Sequence, residues 1–296
     1  MKEYSSELSS KALPGRTSNP SVVGSIPTRG AMLMHLISLS LPMTLRATAY
    51  ILIAWLCCHV MMAEEANQTP EPVAQDLPAA ESSVSVEESL LSAEERLLAA
   101  RKAGDSLVAH LKSNGQFIYR FDVKRNLERN DYNMLRHSGT IYALCQLYEA
   151  TQHEAYRETA IKAAEFLLTQ VRTVPINING EARELTVVVS DNEINGRRQS
   201  NLIVKAGGAA LGLVALLYTD HIRGTTTYQT QAQALGQFLV AIQMPSGNIL
   251  SKYDVDREKW SEWQSDYYPG EALVALGLLQ RTYPHAEVED AIHKLM

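Results

Sequence analysis

The sequence contains three segments in which a polar loop leads directly into a stretch rich in glycine, alanine and leucine. They read RHSGTIYAL at 136–144, KAGGAAL at 205–211 and YYPGEAL at 267–273. Apolar residues continue at helical spacing after each opening, so each segment predicts a helix that is hydrophobic on nearly all sides. Such helices must be buried over most of their surface. The chain is therefore expected to fold around three buried helices.

A helix with a polar face follows each buried helix. Glu158 and Lys162 mark one such face, and glutamines mark another. Buried and half-exposed helices in alternation predict an all-α fold, an (α/α) toroid of helical hairpins. The apolar periodicity predicts helices over 92–112, 138–151, 154–171, 203–221, 227–243, 269–283 and 286–296.

The connections between these helices alternate in length. Short turns follow the buried helices, whereas long loops precede them, over 113–137, 172–202 and 244–268. Because neighbouring helices are antiparallel, the three long loops emerge at one end of the bundle, which we call the mouth. Long ordered loops gathered on a compact scaffold are common sites of function.

Two of the long loops carry a repeat. Residues 115–123 read GQFIYRFDV and residues 247–255 read GNILSKYDV, so a glycine, an aromatic residue, an aspartate and a valine recur at matching positions. Each copy lies a similar distance ahead of the glycine in a buried helix. Each copy predicts a glycine turn followed by a short strand, and hence short β-hairpins within the long loops.

The three helix openings resemble those of the six-hairpin and α/α-toroid superfamily. That group includes glycoside hydrolases, N-acylglucosamine 2-epimerase-like proteins and glucuronyl C5-epimerase-like domains. The resemblance covers Glu94 to Met296. It implies a carbohydrate-active protein that, if an enzyme, is a glycoside hydrolase or a sugar epimerase, although one fold hosts many activities. A closed six-hairpin ring needs more helices than this chain provides, which implies a toroid that is incomplete, truncated or completed by another chain.

The first third of the chain lacks the pattern of a fold. Residues 1–31 have no periodicity and are expected to be a spurious or disordered extension. Residues 32–63 contain Arg46 followed by an almost unbroken apolar run, which is typical of a signal peptide or an N-terminal membrane anchor. Residues 64–85 are rich in Glu, Pro, Ala and Ser and predict a disordered linker. The toroid domain is therefore expected over 86–296.

The apolar leader predicts a location in the periplasm or the extracellular space. The run is shorter than the roughly 20 residues of a comfortable membrane span. Met61 occupies a position where a cleavage site prefers a small residue. Cleavage as a signal peptide and retention as an inner-membrane anchor over residues 43–63 are therefore both open.

Charge and cysteine content exclude several classes of function. The net charge is −6 and no basic stripe with interleaved aromatics is present, which argues against a nucleic-acid partner. Cys57 and Cys58 lie in the apolar leader, so Cys145 has no cysteine partner in the body and is expected to be a small core residue. The histidines lack metal-ligand spacing, and no nucleotide-binding or Gly-x-Ser-x-Gly pattern occurs. The sequence predicts neither a metal site nor a cofactor.

Three residues at the mouth are candidate catalytic groups. Asp266 and Glu271 flank the turn that opens the third buried helix, and sugar chemistry commonly uses a pair of carboxyl groups. His137 stands just before the first buried helix, where it could act as a general base. Each has a structural alternative. The acids could cap the helix or interact with its dipole, and His137 could hydrogen-bond carbonyl groups and seal the gap between helices.

Basic and aromatic residues at the same end are candidate ligand-binding groups. Arg136 could hold a carboxylate, and Lys205 repeats this basic position before the second buried helix. The remaining candidates are Tyr132, Tyr267, Tyr268, Asp122 and Asp254. Sugar rings stack on aromatic faces, although aromatics at such junctions also serve as packing. These groups predict a carbohydrate or another small anionic ligand.

The favoured function is recognition of a polysaccharide or uronate-containing sugar, with hydrolysis or epimerisation if the acids are catalytic. The alternative is a non-catalytic binding or scaffold toroid in a cell-envelope complex, with an envelope protein as its partner. A separation of the two acids of about 5–10 Å would favour an enzyme. A wide separation, or a mouth filled by the loops themselves, would favour the scaffold.

Overall fold

The computed structural model describes residues 92–129, 131–189, 194 and 201–296. Seven helices occur within these residues, and each corresponds to a predicted one. They are α1 (Ala93–Ala109), α2 (Met134–Thr151), α3 (Glu154–Leu168), α4 (Ala206–Arg223), α5 (Gln229–Ala241), α6 (Tyr268–Thr282) and α7 (Ala286–Leu295). The strands are β1 (Phe121–Asp122), β2 (Leu127–Glu128), β3 (Val171–Ile178), β4 (Glu181–Val188), β5 (Ile203–Lys205), β6 (Lys252–Asp254) and β7 (Lys259–Trp260).

The predicted extension, leader and linker over 1–31, 32–63 and 64–85 lie outside the described residues. No helix of the described part is both long and apolar enough to cross a membrane. The toroid domain is described from Ser92 onward.

The start of α1 is set by a reciprocal capping box. The side chain of Ser92 accepts a hydrogen bond from the backbone N–H of Glu95, and the Glu95 carboxylate accepts one from the backbone N–H of Ser92. Both otherwise unsatisfied donors at the helix start are thereby bonded. The predicted helix start at Ser92 is confirmed to within one residue.

The three buried helices form the inner layer of the fold, and α4 packs between α2 and α6. At the mouth end, Leu135 of α2 lies beside Gly208 of α4. Near the opposite end, the Sγ atom of Cys145 lies 3.9 Å from Oγ1 of Thr219. α2 and α4 are therefore parallel, and Cys145 is a fully buried core residue, as predicted. The outer helices α3, α5 and α7 return between the inner ones, which is the (α/α) toroid arrangement.

Two adjacent glycines in α4 face different neighbours. A Cβ placed on Gly207 would lie 2.6 Å from the ring of Tyr268 on α6, a distance that side chains do not adopt. A Cβ on Gly208 would lie 3.5 Å from Cδ1 of Leu135 on α2, which is an ordinary contact. The missing side chain at Gly207 is therefore what allows α4 and α6 to approach so closely.

α2 begins earlier than the apolar pattern predicts. The sequence places the helix start at Ser138, but the Oδ1 atom of Asn133 accepts hydrogen bonds from the backbone N–H groups of Leu135 (2.9 Å) and Arg136 (3.3 Å). Asparagine is among the preferred N-cap residues. Arg136 and His137 consequently lie in the first turn of α2 and not in the loop before it.

α4 begins later than predicted, because its expected first turn forms β5 instead. Ile203 and Val204 are β-branched and suit a pleated strand. Val204 is fully buried and pairs with Tyr253 of β6. The predicted helix start at Ile203 is therefore wrong, because tertiary pairing decides the conformation of this short apolar run.

The sequence repeat is also a structural repeat. Gly115 and Gly247 have nearly the same backbone torsion, with φ of 90° and 89°. Asn126 and Glu258 follow at equivalent positions with φ of 49° and 50°. Each copy ends in an antiparallel hairpin, β1–β2 or β6–β7, which confirms the predicted short hairpins. The second copy differs in that β5 adds a third strand to it.

The middle long loop contains a larger hairpin than the short ones expected there. β3 and β4 have 8 residues each and pair along their whole length, and the hairpin packs along α5. At its tip, the backbone N–H of Asn177 donates to the Tyr253 hydroxyl at 3.0 Å. The indole N–H of Trp260 donates to the Asn177 carbonyl at 2.7 Å. These bonds tie the hairpin to the β5–β6–β7 sheet.

Candidate functional site

The first turns of α2, α4 and α6 lie at the mouth, and the structure distributes the predicted site residues around them. One cluster surrounds His137 on α2. A second cluster lies between β5, β6 and the start of α6, and it includes Lys205 and Glu271. Asp122 and Asp254 lie at the turns of the repeated hairpins.

His137 is 2% exposed, and both of its ring nitrogens are engaged within the protein. Nε2 lies 2.9 Å from the carbonyl oxygen of Ala163, which can only accept, so Nε2 carries the proton. Nδ1 then accepts a hydrogen bond from the Tyr132 hydroxyl at 2.7 Å. Burial lowers the pKa of His137 to about 4, so the ring is neutral near pH 7. This geometry fits the structural alternative, in which the ring seals the gap between α2 and α3.

Tyr132 supports this arrangement from the first long loop. Its hydroxyl accepts a hydrogen bond from the backbone N–H of Phe117 at 3.0 Å while it donates to His137. Burial raises the pKa of Tyr132 above its usual range, so the hydroxyl stays protonated. The rings of Phe117 and Phe166 pack against the imidazole, with centroids 5.5 and 5.3 Å from it. Tyr132 therefore ties the loop to α2 and α3.

Arg136 lies next to His137 in sequence but is only partly buried. Its guanidinium stacks over the ring of Tyr119, 5.1 Å from the centroid, and Nη1 donates a hydrogen bond to the Tyr119 hydroxyl. These contacts fix the guanidinium at the mouth end of α2. A guanidinium held in this way is suited to recognition of a planar acid group.

Lys205 and Lys252 face each other across the β5–β6 ladder. Directly opposed residues of an antiparallel pair project from the same face, with β-carbons about 4.5–5.5 Å apart, and like charges in this position repel. The ammonium nitrogen of Lys252 lies 3.5 Å from the centroid of the Trp263 ring, a cation–π contact. The two lysines form a patch of positive charge beside an aromatic ring.

Glu271 lies in the first turn of α6 and faces α4. Its Oε2 atom is buried where Gly207 leaves room for it. The ring of Tyr268 packs against the same glycine, and the ring of Trp263 meets that of Tyr268 edge-on, with centroids 5.9 Å apart. The paired lysines, the exposed ring of Trp263 and the carboxyl group of Glu271 therefore form one cluster, which we call the β6–α6 surface. The buried ring of Tyr268 supports this cluster from below.

Asp266 is exposed at the start of α6, beside the β6–α6 surface. The turn that leads into this helix is held by Ser265, whose Oγ accepts hydrogen bonds from the backbone N–H groups of Tyr267 (3.2 Å) and Tyr268 (3.3 Å). Within the described part of the chain, Asp266 takes part in no hydrogen bond or ion pair. Its carboxylate and the 40% exposed ring of Tyr267 face solvent.

Asp122 and Asp254 hold the turns of the repeated hairpins. The Oδ1 atom of Asp122 accepts a hydrogen bond from the backbone N–H of Arg125, and that of Asp254 accepts one from Arg257, both at 3.1 Å. The side-chain amide of Asn201 also donates to Asp254, at 2.8 Å. An aspartate that bonds the backbone of a turn explains why this residue type recurs in the repeat.

Lys252 and Ser265 belong to the site, although the sequence does not single them out. Lys252 matters because it pairs with Lys205 in a β-ladder. The apolar periodicity predicts a helix over residues 203–205, so it gives no sign of this pairing. The β-branched Ile203 and Val204 are the signal that could have identified a strand there. Among the described residues, no group of three or more His, Cys, Asp or Glu side chains is arranged to hold a metal ion.

No protein-family model matches the chain, and no curated protein matches it in sequence. Solved structures match it in fold. A sugar epimerase from a ruminal bacterium has 13% identity and a TM-score of 0.55, over 68% of this chain and 52% of that one. A D-mannose isomerase has 16% identity and a TM-score of 0.52, over 67% of this chain and 50% of that one.

The present chain spans about half the length of these two solved structures. The match establishes the fold alone, which is part of an (α/α) toroid of helical hairpins. The fold that the helix openings imply is thereby confirmed. Both solved structures are, by their names, of proteins that process sugars, so this chain has a fold that sugar-processing enzymes use.

Proposed function

We propose that the protein is carbohydrate-active and recognises an acidic sugar, such as a uronate within a polysaccharide, at the mouth. The observation that carries the proposal is the β6–α6 surface, which runs from Lys205 and Lys252 through Trp263 and Tyr268 to Glu271. It combines positive charge for an acid group, the exposed ring of Trp263 for a sugar ring and a carboxyl group for chemistry.

The positive end of this surface is suited to a carboxylate for two reasons. Lys205 and Lys252 lie directly opposite each other on one face of the ladder, so both ammonium groups can approach the same anionic group. Lys205 also occupies the N-cap of α4, and the N-terminal end of a helix carries a partial positive charge. The helix dipole and the two ammonium groups therefore favour the same ligand.

Glu271 and Asp266 are the candidate reacting groups. One oxygen of Glu271 is buried against α4, whereas Asp266 faces solvent, and two carboxyl groups in contrasting surroundings suit acid–base catalysis. If a uronate carboxylate lies at the lysines, removal of the proton from the adjacent carbon develops negative charge on that carboxylate. Lys205 and Lys252 would stabilise this charge, which favours epimerisation as the reaction.

The proposal is tested by glycan-array binding and turnover with the full-length protein. Uronate-bearing oligosaccharides should bind, and matched neutral ones should not bind at the mouth. In D₂O, epimerisation would introduce deuterium at the carbon next to the carboxylate, whereas hydrolysis would produce new reducing ends. Glu271→Gln should keep binding and lose turnover. A folded protein that binds no acidic glycan would contradict the proposal.

The alternative function is a non-catalytic binding or scaffold toroid in a cell-envelope complex. The side chain of Val274 on α6 is 46% exposed. Among the described residues, a Cβ on Gly270 or Gly277 of the same helix would meet no atom within 4 Å. This open strip on an inner helix favours a protein partner. Site-specific photo-crosslinking from position 274 to an envelope protein, together with absence of glycan binding, would support the alternative.

A location outside the cytoplasm is part of the proposal, because the apolar leader over residues 43–63 predicts export or anchoring. Fractionation of cells that produce the full-length protein tests this point. Recovery in the soluble cytoplasmic fraction would contradict it. N-terminal sequencing of the exported protein would distinguish cleavage from anchoring.

A further inference from the structure

A second concave surface lies on the outer wall of the toroid. The β3–β4 hairpin forms one side, α7 forms the other, and α5 forms the floor. Two adjoining clefts, with volumes of about 580 Å³ and about 380 Å³, share Val240 and Glu287. Together they form an elongated groove that extends from Tyr283 at the end of α6 to Met244 at the mouth end of α5.

The floor of this groove carries side-chain amides. Gln233 and Gln237 lie one turn apart on the exposed side of α5. Within the described residues, neither side chain makes a hydrogen bond. Each amide offers two donors and one acceptor oxygen, so it can bond a hydroxyl group in either direction. Apolar side chains that line the same groove, such as Val240 and Ala241, suit the C–H face of a sugar ring.

The charges that line the groove are balanced. Arg183 forms an ion pair with Glu181, with Nη2 and Oε2 2.8 Å apart. Glu287 and Lys294 have opposite charges and lie on the same wall, α7. The groove therefore lacks the net field that would select an acidic or basic ligand.

The groove suits a glycan better than a peptide. Extended peptides are usually held by main-chain hydrogen bonds along a strand edge. The floor and one wall here are helices, whose main-chain groups are bonded within the helix. The β3–β4 wall, which does have strand edges, contributes Arg183 and Asn179 to the lining of the two clefts. The groove instead presents side-chain amides and apolar patches. This combination suits a chain that is rich in hydroxyl groups, such as a glycan.

We propose that this groove binds an extended, uncharged oligosaccharide. It would be a second sugar site on the outer wall, separate from the acidic-sugar site at the mouth and not dependent on it. A polymer held in the groove could extend past Met244 and Pro245 towards the loops of the mouth.

The test is affinity gel electrophoresis of the full-length protein in gels that contain mannan, laminarin or hydroxyethyl cellulose. Wild type should be retarded by at least one of these neutral polymers. Gln233→Ala/Gln237→Ala should weaken binding at least tenfold. Gln229→Ala changes the same residue type on the same helix outside the groove, so it should leave retardation unchanged.

A mouth variant, Lys205→Gln/Lys252→Gln, makes the two sites distinguishable. It should retain the retardation by the neutral polymer. Calorimetric titration of that polymer should give the same affinity in about 0.05 and 0.5 M NaCl, because an uncharged ligand is insensitive to screening. The proposal is overturned if a folded wild type is not retarded by any of the three polymers. It is also overturned if the mouth variant loses binding while the groove variant keeps it.

Discussion

Gly207 of α4 faces the carboxylate of Glu271 on α6, so closely that a Cβ on Gly207 would overlap the Oε2 atom of Glu271. The ring of Tyr268 approaches the same position. Packing of two inner helices and placement of a candidate reacting group therefore depend on one missing side chain. A change at Gly207 should affect both stability and function.

Gly207→Ala is expected to destabilise the protein by about 1–3 kcal/mol, because the added methyl group must displace Glu271 and Tyr268. Turnover or binding of an acidic sugar should fall as well. Gly139→Ala on α2 is the matched control, since no described atom lies within 4 Å of its Cβ position. It should leave stability unchanged or raise it by roughly 0.5–1 kcal/mol. Equal effects in urea denaturation would contradict this account of the interface.

His137 should make stability depend on pH between about 6.5 and 4. Burial lowers its pKa to about 4 in the folded protein, whereas the unfolded chain has an ordinary value near 6.5. The unfolded state therefore binds the proton first as pH falls, and the folded state loses stability over this window. The expected loss between pH 7 and pH 5 is about 2 kcal/mol.

Urea denaturation of wild type and His137→Gln at pH 7 and pH 5 measures this effect. The variant should be less stable at pH 7 but should lose about 2 kcal/mol less on acidification. His153→Gln, a change at an exposed histidine, should behave like wild type. If His137→Gln loses as much stability as wild type, the ring is not buried in the neutral form.

Substitutions at Asp254 distinguish a structural role in the hairpin turn from a role in ligand binding. Asp254→Asn keeps an acceptor for the backbone N–H of Arg257 but loses the second oxygen, which accepts from the Asn201 amide, so it should cost about 0.5–1 kcal/mol. Asp254→Leu removes the acceptor and should cost roughly 1–2 kcal/mol. If Asp254→Asn stays folded but loses acidic-sugar binding, then Asp254 contacts the ligand in addition to holding the turn.

Gly247, the glycine with positive φ in the second repeat, should be more sensitive to substitution than Gly224, another glycine with positive φ. Gly247 has φ of 89°, and a Cβ there would overlap the carbonyl oxygen of Lys294 in α7. Gly224 has φ of 66°, and no described atom lies within 4 Å of its Cβ position. Gly224→Ala should cost about 1–2 kcal/mol. Gly247→Ala should cost clearly more, as measured by thermal denaturation.

The helices and the repeat are predictable because their signals are local. Apolar residues at helical spacing identify α1 to α7, and the glycine–aspartate pattern identifies the two hairpins. The helix starts are less predictable. Asn133 caps α2 several residues before the apolar pattern begins, and Ile203 and Val204 form a strand because β6 is there to pair with them.

The site is less predictable than the fold, because its contacts join distant segments. No local pattern shows that His137 bonds the carbonyl of Ala163, or that Lys205 lies opposite Lys252. Sequence alone also cannot distinguish Gly207 from Gly208, although only the first excludes a side chain. Position at the mouth identifies candidates, and three-dimensional neighbours decide their roles.

Isothermal titration of an oligouronate into the full-length protein tests the central claim most directly. Wild type is compared with Lys205→Gln/Lys252→Gln and with Lys102→Gln, which changes an exposed lysine on α1. We expect binding by wild type and Lys102→Gln that weakens with added salt, and at least tenfold weaker binding by the double variant. Undiminished affinity in a folded double variant would contradict an acidic-sugar site at the β6–α6 surface.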